Sequence, residues 1–77
     1  MINILLFAQM QEEVGKEKIA VEMEKTTVKE LKEYLQMHYK LTQLNESMVA
    51  VNEAYALEND EVKTGDTVAI IPPVSGG

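Results

Sequence analysis

The segment from Ile2 to Ala8 is an almost unbroken apolar run without Gly or Pro, the pattern of a strand buried on both faces. Alternation places Ile2, Ile4 and Leu6 on one side of it and Asn3, Leu5 and Phe7 on the other. From Gln9 to Val14 the chain changes to helix formers, with Met10 and Val14 four apart and Gly15 following as a left-handed stop. One or two helical turns are predicted there. Lys18 to Met23 alternates, with Ile19, Val21 and Met23 against Ala20 and Glu22, and predicts a half-buried edge strand paired with the first.

Thr27-Val28-Lys29-Glu30 has the form of a capping box, in which the Thr27 hydroxyl accepts from the Glu30 amide and the Glu30 carboxylate returns to the Thr27 amide. Val28, Leu31, Leu35 and His38 or Tyr39 then recur at helical spacing, so an amphipathic helix runs to Lys40 and covers one face of a sheet. After a polar stretch at Asn45 to Ser47, Met48 to Val51 and Ala54 to Leu57 flank Asn52-Glu53 as a two-residue hairpin, with Glu53 uncomfortable at positive φ. Lys63 to Asp66 forms another turn. Thr67 to Ile71 is a last apolar strand, ended by Pro72-Pro73. A helix after an opening hairpin lets the last strand lie parallel beside the first, in the middle of a mixed sheet. The predicted class is therefore α+β: a β-grasp, ubiquitin-like mixed sheet with one main helix on one face, a domain of residues 1–72 and a flexible tail of residues 73–77.

Composition narrows the function more than the fold. A chain of 77 residues is one domain, and its 45% hydrophobic and 26% charged content is ordinary for a globular protein. The net charge of −6, with acids spread along the chain, makes nucleic acid a poor partner, since phosphate neutralisation needs patches of Lys and Arg. The same charge has two readings: it only keeps a small protein soluble, or it steers the chain toward basic partner surfaces. Without cysteine there is no disulfide, thiolate metal site or cysteine nucleophile. The opening apolar run has no basic leader and no later run approaches a membrane span, so no membrane role and a cytoplasmic location are expected.

The ending Pro72-Pro73-Val74-Ser75-Gly76-Gly77 is the one compositional shift. Two prolines without amide donors stop the ladder and send the chain out semi-extended. The four residues after them reach at most roughly 14 Å, enough to enter a neighbouring protein's cleft. Gly76 and Gly77 have no side chains to block a narrow channel or shield the terminal carboxylate.

Leu6-Phe7-Ala8-Gln9, Ala50-Val51-Asn52 and above all Ile71 to Gly77 resemble the MoaD-type small subunits of molybdopterin synthase, and the resemblance covers nearly the whole chain. It implies that the C-terminus of Gly77 is the reactive group. An E1-like adenylyltransferase would join it to AMP at the expense of ATP, since a free carboxylate is a poor acyl donor. Sulfide from a persulfide-carrying partner would then displace AMP and leave a thiocarboxylate. Pro72, Pro73, Val74, Ser75 and Gly76 would insert with Gly77 into the large synthase subunit, in a heterotetramer, to pass sulfur to cyclic pyranopterin monophosphate. The chain would bind no cofactor or metal and would not be an enzyme alone, the catalytic groups lying on the large subunit. Strand alternation adds an apolar contact patch of Phe7, Ile71 and a neighbouring Tyr55 for both partners.

Other residues are read as structural. His38, the one histidine, packs or caps, because a metal site needs three or four donors. The five Met residues fill the core, and the acids Glu12-Glu13 and Glu58 to Glu61 are solvated faces. Three further functions share these features. A thiamin-type sulfur carrier has the same glycines but usually lacks Pro-Pro. A ubiquitin-like modifier would end on lysine amines. A plain interaction module would lose nothing with Gly76-Gly77.

Overall fold

The computed structural model describes residues 1–39, 41 and 44–73. Strands β1 (Ile2–Leu6) and β2 (Lys18–Val21) form the opening hairpin around helix α1 (Ala8–Val14), and β3 (Lys25–Thr27) leads directly into helix α2 (Val28–Tyr39). A short 3₁₀ turn at Leu44–Glu46 precedes β4 (Met48–Val51), β5 (Ala54–Ala56), β6 (Glu61–Lys63) and β7 (Thr67–Ile71). The main sheet has the order β2-β1-β7-β4-β5, with β1 and β7 parallel at its centre and the other neighbours antiparallel. This is the expected β-grasp arrangement.

One face of the sheet makes the core. Ile2, Ile4 and Leu6 of β1, Ile19 and Val21 of β2, Val49 of β4 and Val68 and Ile70 of β7 are buried against Val28, Leu31 and Leu35 of α2 and Met10 of α1. Each fully buried Leu or Ile contributes about 2 kcal/mol of transfer free energy, which is how a domain without cross-links holds together. Leu41 and Leu44 close the core beyond the end of α2. The expected extension of α2 to Lys40 lies outside the described residues.

The start of α2 is satisfied from two directions. The Glu30 amide donates to Thr27 Oγ1 at 3.2 Å, as the capping box requires. The Glu30 carboxylate accepts the Thr27 hydroxyl at 3.2 Å instead of returning to the Thr27 amide. The Val28 and Lys29 amides donate to the carbonyls of Asp60 and Glu58, both at 3.0 Å. Three of the four open amides of the first turn thereby find acceptors. The acidic stretch Glu58 to Glu61 thus has a structural task beyond solvation: its backbone caps α2, the Asp60 carboxylate accepts the Leu57 amide at 2.8 Å, and Glu61 pairs with Lys25 at 3.2 Å across the β3–β6 ladder. The small β3–β6 sheet was not anticipated, since three-residue strands carry too little alternation to show.

Two further expectations are corrected. The opening run is not buried on both faces, for Asn3 and Leu5 are only half covered and Phe7 is exposed. The strand also ends at Leu6, and Ala8 already opens α1, with a left-handed φ of 51°. Core filling by methionine holds for Met10 and in part for Met23, but Met1, Met37 and Met48 are exposed. His38 is exposed as well and stacks on Tyr34, ring centroids 4.2 Å apart, a packing role.

The β4–β5 hairpin is tied to the centre of the sheet by Asn52. Its amide donates to the Thr67 carbonyl at 2.8 Å, its side-chain oxygen accepts from the Thr67 amide at 3.0 Å, and its Nδ2 donates to Asp66 at 3.0 Å. Asp66 also accepts the Lys63 amide at 2.9 Å. That backbone bond first, and the Asn52 amide second, hold the Asp66 carboxyl below its ordinary value. In the turn itself Asn52 and Glu53 both have positive φ, 50° and 71°, the geometry of a two-residue type I′ hairpin. Asn tolerates that region and Glu does not. Glu53→Gly is accordingly expected to raise stability by about 1 kcal/mol in a urea titration. An unchanged or lower midpoint would show that the turn carries no such strain.

Candidate functional site

Among the described residues no helix covers the face of the sheet opposite α2, and the register of that face can be read across the strands. Lys18, Leu5, Ala69, Ala50 and Tyr55 stand in one row from edge to edge. In the next row Ile71 lies opposite Met48. The same register carried one residue further sets Phe7 beside Ile71 and Leu57 beside Met48, at the end of the sheet where β7 leaves it.

Phe7, Tyr55 and Ile71 therefore share a face. Phe7 is 44% exposed and Tyr55 70% exposed, while Ile71 is half-buried between its strand neighbours. No loop of the described chain covers them. Sequence reasoning missed two members of this surface, Met48 at 53% and Leu57 at 76% exposure. Their signal was present as alternation within each strand, but only the β4–β7 pairing sets Met48 beside Ile71, and only the β4–β5 pairing brings Leu57 beside Met48. Four large apolar side chains open to water at one end of a sheet in so small a domain form the kind of contiguous patch that marks an interface.

Phe7 is also anomalous locally. It occupies the N-cap of α1, with extended backbone and no side-chain bond to the helix. Ser, Thr, Asp or Asn would accept from an open amide at this position and Phe cannot. Its aromatic ring contributes to the surface at the expense of the cap.

The strand β7 enters the patch and ends in it. Ile71 is its last paired residue, and Pro72 and Pro73 follow, half-buried, with no amide to prolong the ladder. The tail residues Val74, Ser75, Gly76 and Gly77 lie outside the described residues. Among the described residues no group of three or more His, Cys, Asp or Glu side chains gathers in the way a metal ion requires, and no helix is long and apolar enough to cross a membrane.

The sequence profile of the ThiS family matches residues 4–77. The molybdopterin synthase sulfur carrier subunit of Dictyostelium discoideum is 35% identical over 81 aligned positions that cover 97% of this chain and 94% of that one. The chain belongs to the ThiS family. Within the family it stands with the molybdopterin synthase sulfur carrier subunits, the expected MoaD-type group. Among solved structures, SAMP1 from Haloferax volcanii superposes with a TM-score of 0.82 at 24% identity, covering 99% of this chain and 98% of that one. A second neighbour is found in the complex of subunits 1 and 2 of the molybdopterin-converting factor from Helicobacter pylori 26695. It has a TM-score of 0.69 and 24% identity, over 99% of this chain and 97% of that one. These likenesses show the ubiquitin-like β-grasp fold of the ThiS family member described here.

Proposed function

We propose that this chain is the sulfur carrier of molybdopterin synthase and that the carboxylate of Gly77 is its working group. One observation supports this above the others: the family match runs through Gly77, by way of a Pro72-Pro73 exit from the central strand and beside an open apolar face. The relatives named for the role match over 97% or more of the chain, and one fold neighbour comes from a complex of two subunits.

The chemistry follows from the group. A terminal carboxylate is ionised at neutral pH and resists attack, so it has to be activated. An E1-like adenylyltransferase joins it to AMP from ATP and releases pyrophosphate. The outer sulfur of a persulfide on a partner attacks the acyl-adenylate and displaces AMP. A second thiol of that partner then cleaves the resulting acyl disulfide, closing a disulfide on the partner and leaving a thiocarboxylate on Gly77. The charged tail, Pro72 to Gly77, enters the large subunit, which supplies the acid, base and phosphate-binding groups and receives the sulfur for cyclic pyranopterin monophosphate. The chain is a reagent in this scheme and not an enzyme alone. It needs no bound cofactor or metal, and the setting is cytoplasmic. Phe7, Tyr55, Ile71, Met48 and Leu57 form the docking patch, their apolar area complementing the tail's directional grip. Assembly with two large subunits as a heterotetramer belongs to the same proposal.

The adenylation step can be tested directly. With the adenylating partner and ATP, the full chain is expected to support exchange of labelled pyrophosphate into ATP, and a chain ending at Ser75 is expected to support none. Equal exchange by both chains would remove Gly77 from the reaction.

A further inference from the structure

The main sheet ends on β2 at one side and β5 at the other, and the two edges are unlike. An open edge offers unpaired amides and carbonyls to any passing strand, and proteins usually blunt it with Lys, Pro or a bulge. The β2 edge begins with Lys18 and follows Lys16 and Glu17. The β5 edge, Ala54-Tyr55-Ala56, carries neither charge nor Pro. In its hairpin Val51 and Ala54 close the two-residue turn and so exchange both backbone bonds. Ladder alternation then leaves the amide and carbonyl of Tyr55, opposite Ala50, directed off the edge of the sheet.

A hollow of about 360 Å³ lies under this edge, between β5 and α2, lined among others by Val28, Lys32, Met48, Ala56 and Leu57. Met48, Tyr55 and Leu57 belong both to the hollow and to the apolar patch, so the two surfaces are continuous. Because β5 and β7 both run antiparallel to β4, β5 ends at the same side of the sheet as the Pro72 exit. They are two strand spacings apart, about 10 Å. One partner can hold the tail and the edge together. Charge identifies that partner further, since β5 is preceded by Glu53 and followed by Glu58, both exposed. Glu53 keeps its place at a φ of 71°, where Gly is less strained, which indicates a use for its carboxylate.

We propose that the partner receiving the tail, the large synthase subunit, adds an extended segment to β5. The segment pairs with the Tyr55 backbone, sets an apolar side chain into the hollow and brings basic residues to Glu53 and Glu58. This rests on the sulfur-carrier reading above. A second copy of this chain is a poorer occupant, because each carries a net charge of −6 and would bring acid against acid.

The test compares the full chain free and in complex with the large subunit by amide hydrogen exchange. Exchange at Tyr55 is expected to slow at least tenfold in the complex. Replacing the Ala54–Tyr55 amide by an ester, which removes the Tyr55 N–H and leaves the Ala54 carbonyl a weaker acceptor in the Val51–Ala54 pair, is expected to weaken the complex at least tenfold with a much smaller effect on the unfolding temperature of the free chain. A complex that forms with unchanged affinity for the ester-containing chain, and with Tyr55 exchanging as in the free chain, would overturn the strand addition and leave the carrier reading standing. Failure of the two proteins to associate at all would overturn both.

Discussion

A chain lacking Gly76 and Gly77 is expected to fold as the full chain does and to transfer no sulfur. The two halves of this prediction come from different parts of the molecule. The buried core ends at Ile70, and the last strand pairing of β7 is that of Ile71 with Met48. Stability is set by that core and by the Asn52–Asp66 tie, all upstream of the prolines. Deletion beyond Pro73 should therefore leave the thermal unfolding midpoint within the scatter expected for surface changes, about 0.5 kcal/mol. Reactivity, in the proposed function, rests on one carboxylate whose position is measured from the Pro72-Pro73 exit. Shortening the tail by two residues withdraws the terminus by roughly 7 Å, far more than the misplacement that already costs about 100-fold in a reacting pair. Sulfur transfer in the reconstituted synthase should fall to background, and measurable transfer would show that the terminus is not the carrier.

Phe7→Asp is the second large effect, and its two readouts should move in opposite directions. In the free chain Phe7 occupies an N-cap it cannot serve, 44% exposed to water. Asp can accept an open amide of α1, so stability should hold or rise by about 1 kcal/mol. At the proposed interface the same change would remove an aromatic anchor and introduce a charge beside Ile71 and Met48. Loss of such an anchor costs about 2 kcal/mol or more, a fall in affinity of about 30-fold. Titration of the large subunit, paired with urea unfolding of the free chain, measures both. Unaltered affinity would remove Phe7 from the docking patch, and a marked loss of stability would mean that its ring serves the fold.

The elements that could be read from sequence were those whose determinants are local. The capping box at Thr27 and Glu30, the left-handed stop at Gly15, the Asn52-Glu53 turn and the Pro72-Pro73 exit each depend on a few adjacent residues, and each stands where expected. The parallel pairing of β1 with β7 followed from topology, since a crossover through one helix leaves few alternatives. What escaped notice depends on distant partners. The β3–β6 ladder joins two three-residue strands far apart in the chain, and the capping of α2 by Glu58 and Asp60 uses backbone carbonyls that no side-chain pattern reveals. The open face was misjudged for a related reason. An apolar run such as Ile2 to Ala8 reads the same whether its second face is covered by the chain itself or kept for another protein. Met48 and Leu57 join the patch only once the register between β4, β5 and β7 is known.

The intact mass of the chain purified from cells that contain its adenylating and sulfur-delivering partners tests the central claim most directly. A fraction heavier by the exchange of one oxygen for sulfur, absent from a chain ending at Ser75, is the predicted result. A single unmodified mass in the presence of active partners would contradict it.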